Sequence, residues 1–117
     1  MKPEDFVKAV FDSAYKSGIQ SVIEVVEDPP GRQPRPELLR LSSWYLALSD
    51  AERTVAQQLM RHSADAAIFG FLAMVDGVRV FDDEQSDIEI QVGGVEVSER
   101  RDLHEIFRAL VDEDEYS

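Results

Sequence analysis

The chain has 117 residues with 24 acidic and 12 basic side chains, which gives a formal net charge of -12. This length fits one hydrophobic core, and the 44% of hydrophobic residues is an ordinary share for a folded protein, so we predict a single domain over residues 1–117. Cysteine is absent, which excludes a disulfide framework, a thiolate metal site and a cysteine nucleophile.

The acidic balance limits the ligands that the surface can attract. An excess of carboxylates repels phosphate backbones, so we predict no nucleic-acid ligand. Such a charge serves solubility by itself, and the sharper hypothesis is recognition of a basic protein partner. Residues 1–18 mix charged side chains into their apolar positions, unlike a secretory signal, and we therefore expect a cytoplasmic location.

Two helices are predicted ahead of the first proline cluster. Residues 3–17 form the first, with Pro3 in its first turn and Gly18 as its expected end. Its inward face is predicted from apolar residues four apart: Phe6, Val10 and Ala14. Residues 19–27 fit a short second helix, although their β-branched content would also suit a strand.

A proline-rich loop and a third helix follow. Residues 28–35 must be irregular because each proline removes an amide donor. The third helix begins near Pro36, and its predicted inward face is Leu38, Leu41, Tyr45 and Leu48. Trp44 lies about 100° around from Tyr45, at the edge of burial, where it could contact a partner or a neighbouring helix. Three arginines are candidate partner contacts, with a solvated loop as the simpler explanation: Arg32, Arg35 and Arg40.

A fourth helix is predicted from about residue 50, where Ser49 and Glu52 match a capping box. Polar residues every four positions predict its solvent-facing stripe: Arg53, Gln57, Arg61 and Asp65. The run Ala66–Val75 is apolar on all sides, which predicts that either the central core or a subunit interface covers it, and it is too short to cross a bilayer, so we predict no membrane insertion. Unbroken to Val75, the helix would span about 39 Å and must either break near Ser63 or project.

Asp65 stands where this polar stripe meets the apolar run. An apolar environment would disfavour its charged form, as a general acid requires, which makes it a candidate perturbed carboxylate. Pairing with Arg61, four residues earlier, is the structural alternative and the favoured one.

A β-hairpin and a closing helix complete the chain. Alternating residues flank Gly93 and Gly94, and the predicted register pairs Val92 with Val95 and Ile90 with Val97. A third strand could come from residues 78–81. The closing helix is predicted to start near Ser98 or Glu99, cover the hairpin and carry an apolar stripe: Leu103, Ile106, Phe107, Leu110 and Val111. The acidic residues 112–117 are expected to fray. The predicted fold class is therefore α+β, mostly helical, with four to five packed helices, this hairpin and the closing helix.

Catalytic motifs are sparse. His62 and His104 lie in different predicted helices without metal-ligand spacing, so both are interpreted as surface or helix-side histidines. An acidic loop could hold a hard cation or contact a partner, but its spacing is not that of an EF-hand and favours a solvated turn: Asp82, Asp83, Glu84 and Asp87. Phosphate-binding and nucleophile-elbow patterns are absent, so we predict no catalytic residue, cofactor or metal.

Three classes of function fit these features. The leading hypothesis is a small, bacterial-type protein-binding module, for example an immunity-type or inhibitor protein for a basic partner. The second is a structural homo-oligomer built on the apolar helix or on the hairpin edge. The third is a small enzyme that uses carboxylates or a metal, and it has the weakest support.

Overall fold

The computed structural model of the chain describes residues 1–116. Its fold is α+β and mostly helical, with a two-stranded hairpin and a closing helix, as predicted. The helices are α1 (Pro3–Val10), α2 (Ser17–Glu27), α3 (Pro36–Leu46), α4 (Asp50–Val75) and α5 (Leu103–Tyr116). A π-helical segment (Phe11–Lys16) joins α1 to α2, and the strands are β1 (Gln91–Val92) and β2 (Val95–Glu96).

The first helical segments form one continuous helix, so the predicted end at Gly18 is wrong, while residues 19–27 are helical as predicted. Its buried positions are four apart: Val7, Phe11, Tyr15 and Ile19. Residues four positions apart in an α-helix differ by about 40° around the helix axis, so a series of them gradually turns away from one face. The wider turn of the π segment offsets this rotation and keeps the four residues on the core. The Ser17 hydroxyl donates to the carbonyl of Asp12 at 2.9 Å within this segment. The predicted inward face is instead exposed or only half-buried: Phe6, Val10 and Ala14.

The α3 helix begins at Pro36 as predicted, but its inward face differs from the prediction. Tyr45 is buried, whereas Leu41 is exposed, so the prediction that Leu41 faces inward is wrong. Ser42 is buried in its place because its hydroxyl donates a 2.6 Å hydrogen bond to the carbonyl of Val26 in α2.

The α4 helix starts with the predicted capping box. The Ser49 hydroxyl accepts from the Glu52 amide at 3.1 Å, and the Glu52 carboxylate accepts from the Ser49 amide at 2.9 Å. The helix does not break near Ser63 and runs for 26 residues. Gly77 follows its end with φ +80°, a left-handed conformation that glycine adopts without strain.

The polar stripe predicted to face solvent on α4 is in fact half-buried. Arg53 donates to the carbonyls of Tyr45 at 3.3 Å and Leu46 at 2.7 Å. Gln57 donates to the Tyr45 hydroxyl at 2.8 Å. These hydrogen bonds turn the polar residues toward α3, so the opposite side of α4 faces water.

The apolar run of α4 is buried on part of its circumference only. Leu72 and Val75 are buried, but Phe71 is exposed, so the chain itself does not cover the run on every side, and cover by a subunit interface stays a prediction. The amides of Val78 and Arg79 both donate to the carbonyl of Ala73, and the turn they form covers one side of the helix. Within residues 1–116, none of the helices combines the length and the apolar character that a bilayer crossing requires.

The hairpin has the predicted register. Val92 pairs with Val95, and the Val97 amide donates to the Ile90 carbonyl at 2.9 Å. Within the described residues the sheet has two strands, so the third strand proposed for residues 78–81 is not formed.

The closing helix starts later than predicted. Arg101 has a left-handed backbone (φ +57°) that interrupts helical geometry, so α5 begins at Leu103 instead of Ser98 or Glu99. Its predicted stripe is confirmed, with three residues buried and two half-buried: Leu103, Phe107 and Val111, and then Ile106 and Leu110. Residues 112–116 are helical, and their fraying stays a prediction. Ser117, which that prediction included, lies outside the described residues.

Two hydrophobic clusters hold the helices together. The larger one joins α1, the π segment, the C-terminal half of α4 and α5, with Phe11, Tyr15 and Phe107 in aromatic contact at its centre. The smaller one joins α2, α3 and the N-terminal half of α4 through Val26, Tyr45 and Ala56. The radius of gyration is 17.3 Å, larger than the roughly 13 Å of a compact domain of this size. The smaller cluster is therefore an arm beside the main core.

Candidate functional site

The outer face of α4 carries the most exposed apolar side chains of the arm. Val55 is 63% and Leu59 is 67% exposed, and His62, one turn further along, is exposed beside them. We call these three residues the α4 outer face. They lie on the side of α4 opposite to Arg53 and Gln57, the two residues that form hydrogen bonds to α3.

Two grooves border the α4 outer face and share Leu59. The first has a volume of about 760 Å³ and lies between α4 and the end of α5, where Asp114 and Glu115 line it together with Arg61. The second has a volume of about 500 Å³, lies between α4 and the first helix, and is lined mostly by small or apolar residues: Ala14, Gly18, Ile19, Val22, Leu59, Met60, Ser63 and Ala64. An apolar ridge is thus flanked by an acidic groove and by an apolar groove.

Asp65 does not form the predicted pair with Arg61. Its carboxylate instead accepts a 2.8 Å hydrogen bond from Nη1 of Arg108 on α5. This hydrogen bond is the main reason why the pKa of Arg108 is raised above its ordinary value. The guanidinium also lies 4.8 Å from the ring centre of Phe69, a cation–π contact. Asp65 therefore joins α4 to α5.

After Asp65, Tyr15 in the π-helical segment is a second buried side chain with a polar group. Its hydroxyl has no hydrogen-bond partner among the described residues. Burial raises the pKa of Tyr15 above its ordinary value of 10.0, and the charges of Glu115, Asp65 and Asp114 raise it further.

Asp76 and His104 form a buried pair that the sequence did not predict. Asp76 is buried at the end of α4, and its carboxylate accepts the backbone amide of His104 at 2.8 Å and also contacts Nδ1 of the ring. Because a carboxylate accepts only, we place the ring proton on Nδ1. Phe69 packs edge-on against the ring, with centroids 5.6 Å apart. Neither groove at the α4 outer face includes this pair, which caps the start of α5.

The predicted contact residues of the α3 region lie together on the arm. Arg32, Arg35 and Arg40 are exposed, and Trp44 is exposed on the same side of α3 as Arg40 and not packed against a neighbouring helix.

The acidic loop lies beyond the other end of α4. Asp82 accepts from the Ser86 amide at 3.0 Å and from its hydroxyl at 2.7 Å, and these hydrogen bonds lower the pKa of the Asp82 carboxyl. Asp83 and Glu84 are exposed, and Asp87 pairs with Arg101 at 3.3 Å. Among the described residues no group of three histidine or carboxylate side chains is placed to hold a metal ion.

Two features of the structure have signals in the sequence. Val55 and Leu59 are four residues apart, which marks one helix face, and this face lies opposite the stripe that was predicted to face solvent. Asp76 directly follows the apolar run Ala66–Val75. An acidic residue next to a buried segment must find donors, and this consideration could have singled it out.

Comparison with known proteins adds no relative. Neither a protein-family model, nor a curated protein, nor a solved structure matches this chain.

Proposed function

We propose that this chain is a noncatalytic protein-binding module, whose α4 outer face binds a basic, amphipathic segment of a protein partner. The observation that carries the proposal is the exposure of Val55 and Leu59, 63% and 67%, between two grooves. Burial of these two side chains against a partner would remove apolar surface from water, and this change favours binding.

The charges beside this face favour a basic partner. Two carboxylates, Asp114 and Glu115, line the first groove together with one guanidinium, that of Arg61, in a chain of net charge -12. Asp114 pairs with Lys16 at 3.4 Å, and the side chains of Lys16 and Asp114 are 52% and 37% exposed. A partner helix with leucines on one side and lysines or arginines on the other matches both the ridge and the acidic groove. Electrostatic attraction would also speed its association.

An immunity-type or inhibitor protein for a basic enzyme, acting in the cytoplasm, is one form of this function. It is motivated by the net charge and by the absence of a catalytic motif in the sequence. The proposal itself requires only the α4 outer face and its acidic border.

The test compares the wild-type chain with Val55→Gln/Leu59→Gln, which removes the apolar ridge without changing charge. The probe is a designed helical peptide of leucine and lysine in an amphipathic pattern, followed by fluorescence anisotropy at low and high salt. We expect wild-type binding to weaken as salt rises and the double variant to bind at least about tenfold more weakly. Equal binding by both chains would overturn the proposal.

Two controls separate this surface from general attraction to a negative protein. Val95→Gln removes an exposed apolar side chain from the hairpin and should leave binding unchanged. A peptide with glutamate in place of lysine should not bind. The same variants, used to capture proteins from a lysate of the source organism, should retain basic proteins only when the α4 outer face is intact.

A further inference from the structure

Two exposed surfaces at opposite ends of α4 are not used by the proposed function. The first, which we call the head surface, consists of Arg40, Leu41 and Trp44 on the outer side of α3. Trp44 is four positions from Arg40 and three positions from Leu41, so it is a neighbour of both on the helix surface. Leu41 is 49% and Trp44 is 56% exposed.

The head surface is basic within an acidic chain. Residues 29–49 contain three arginines and one glutamate. Between residues 1 and 116, no carboxylate forms a salt bridge with Arg32, Arg35 or Arg40. A tryptophan one turn from an arginine that has no carboxylate partner is a combination that interfaces favour, because both residue types are enriched where partners bind most strongly.

The second surface, which we call the tail surface, follows the end of α4. It consists of Val78, Val80 and Phe81 and the acidic residues that come directly after them, Asp82, Asp83 and Glu84. Val78 is 63% and Val80 is 68% exposed. Residues 78–87 contain four acidic side chains and one basic side chain, Arg79, and one of the four carboxylates, Asp87, is paired with Arg101. The tail surface thus has the same apolar character as the head surface and the opposite charge.

The two surfaces cannot meet within one chain. The head surface lies at the start of α4, because residues 47–49 join α3 directly to it and Tyr45 packs near Ala56. The tail surface lies at the other end, because the Val78 amide donates to the carbonyl of Ala73 at 3.0 Å. A helix of 26 residues separates them, which is about 39 Å.

We propose that the head surface of one copy binds the tail surface of a second copy. The charges decide between the possible pairings: head against head would oppose arginines, and tail against tail would oppose carboxylates, whereas head against tail satisfies both. Two copies that run in opposite directions satisfy both contacts in one closed dimer, and any other arrangement continues the contact into a ring or an open chain of copies. The α4 outer face takes no part, so this inference is independent of the proposed function.

The experiment separates the two surfaces by mutation and then recombines them. The head variant is Leu41→Gln/Trp44→Gln and the tail variant is Val78→Gln/Val80→Gln, and sedimentation velocity measures the mass of each alone and of their mixture. We expect the wild-type chain to form dimers or larger species as its concentration rises. Each variant alone should associate at least about tenfold more weakly. Their mixture should recover dimers and stop there, because it contains one intact head and one intact tail per pair.

Three outcomes would overturn the inference: a wild-type chain that stays monomeric at millimolar concentration, variants that associate as the wild type does, or a mixture that stays monomeric. Leu39→Gln is the matched control, since Leu39 is exposed on the opposite side of α3 and its loss should not change the mass. Circular dichroism of all variants checks that they fold, as expected for exposed positions.

Discussion

Asp65 on α4 and Arg108 on α5 form an ion pair whose two members differ in their access to water. The carboxylate side chain of Asp65 is 13% exposed, and the Arg108 side chain is 39% exposed. One oxygen of Asp65 accepts from Arg108 at 2.8 Å, and the other is buried without a partner. The main effect of Arg108 on the α4–α5 contact is therefore that it pairs with the Asp65 carboxylate, which would otherwise be buried without a cation.

Removal of Arg108 should destabilise the protein more than removal of Asp65. Arg108→Met leaves a buried charge without a cation, and we expect a loss of about 2 kcal/mol, less than for a fully buried pair because Arg108 is partly solvated. Asp65→Asn leaves an arginine that water can reach, and its expected loss is about 1 kcal/mol. Urea denaturation measures both. Adding Asp65→Asn to Arg108→Met should recover stability, and a further loss in the double variant would contradict this account.

Tyr15 and Tyr45 offer a matched pair of substitutions with opposite expected signs. Both side chains are buried, but the Tyr15 hydroxyl has no partner among the described residues, whereas the Tyr45 hydroxyl accepts from Gln57 at 2.8 Å. Tyr15→Phe removes a buried hydroxyl that makes no hydrogen bond and should raise the free energy of unfolding by about 1 kcal/mol. Tyr45→Phe should lower it by about the same amount. A loss of stability in both variants, measured by urea denaturation, would show that the Tyr15 hydroxyl is hydrogen-bonded in solution.

The raised pKa of Tyr15 predicts a loss of stability at alkaline pH. Burial and the nearby acidic charges place this pKa above the ordinary value of 10.0, which the unfolded chain should show. Above that pH the folded state holds the Tyr15 proton more tightly than the unfolded state does. This titration therefore leaves the free energy of unfolding unchanged below pH 10 and lowers it as the pH rises from 10 through the folded-state pKa.

Unfolding curves between about pH 8 and pH 12 can isolate this contribution. The stability of Tyr15→Phe should fall less steeply above pH 10 than that of the wild type, because lysines and the other tyrosines titrate in both proteins. Parallel curves would exclude Tyr15 as the source of the difference.

The sequence predicted the features that depend on neighbours along the chain. The capping box of Ser49 and Glu52, the hairpin register and the stripe of α5 all follow from local spacing, and the structure has them. The direction in which α4 faces depended on long-range hydrogen bonds to α3, which the spacing of Arg53 and Gln57 cannot reveal. The sequence therefore assigned the polar side of α4 to water, and the exposed apolar residues of the candidate site were missed.

The start of α5 shows the same limit. Asp102 precedes the helix and is a typical capping residue by sequence, but its carboxylate pairs with Arg100 at 2.9 Å. The first turn is capped instead by Asp76, which is 28 positions away from His104. Only the tertiary fold brings these residues together, because Asp76 ends α4 where α5 begins.

This long-range cap predicts the order in which three substitutions destabilise the protein. Asp76→Ala removes the acceptor for both the backbone amide and the ring of His104, and its expected loss is about 2–3 kcal/mol. Asp76→Asn keeps one oxygen that can accept the amide and should lose less. His104→Ala retains the capped amide and loses only the ring contact, so it should also lose less than Asp76→Ala. Denaturation gives the three energies, and hydrogen exchange at the His104 amide should accelerate in Asp76→Ala relative to Asp76→Asn. Equal losses for Asp76→Ala and His104→Ala would mean that the ring, and not the cap, joins α4 to α5.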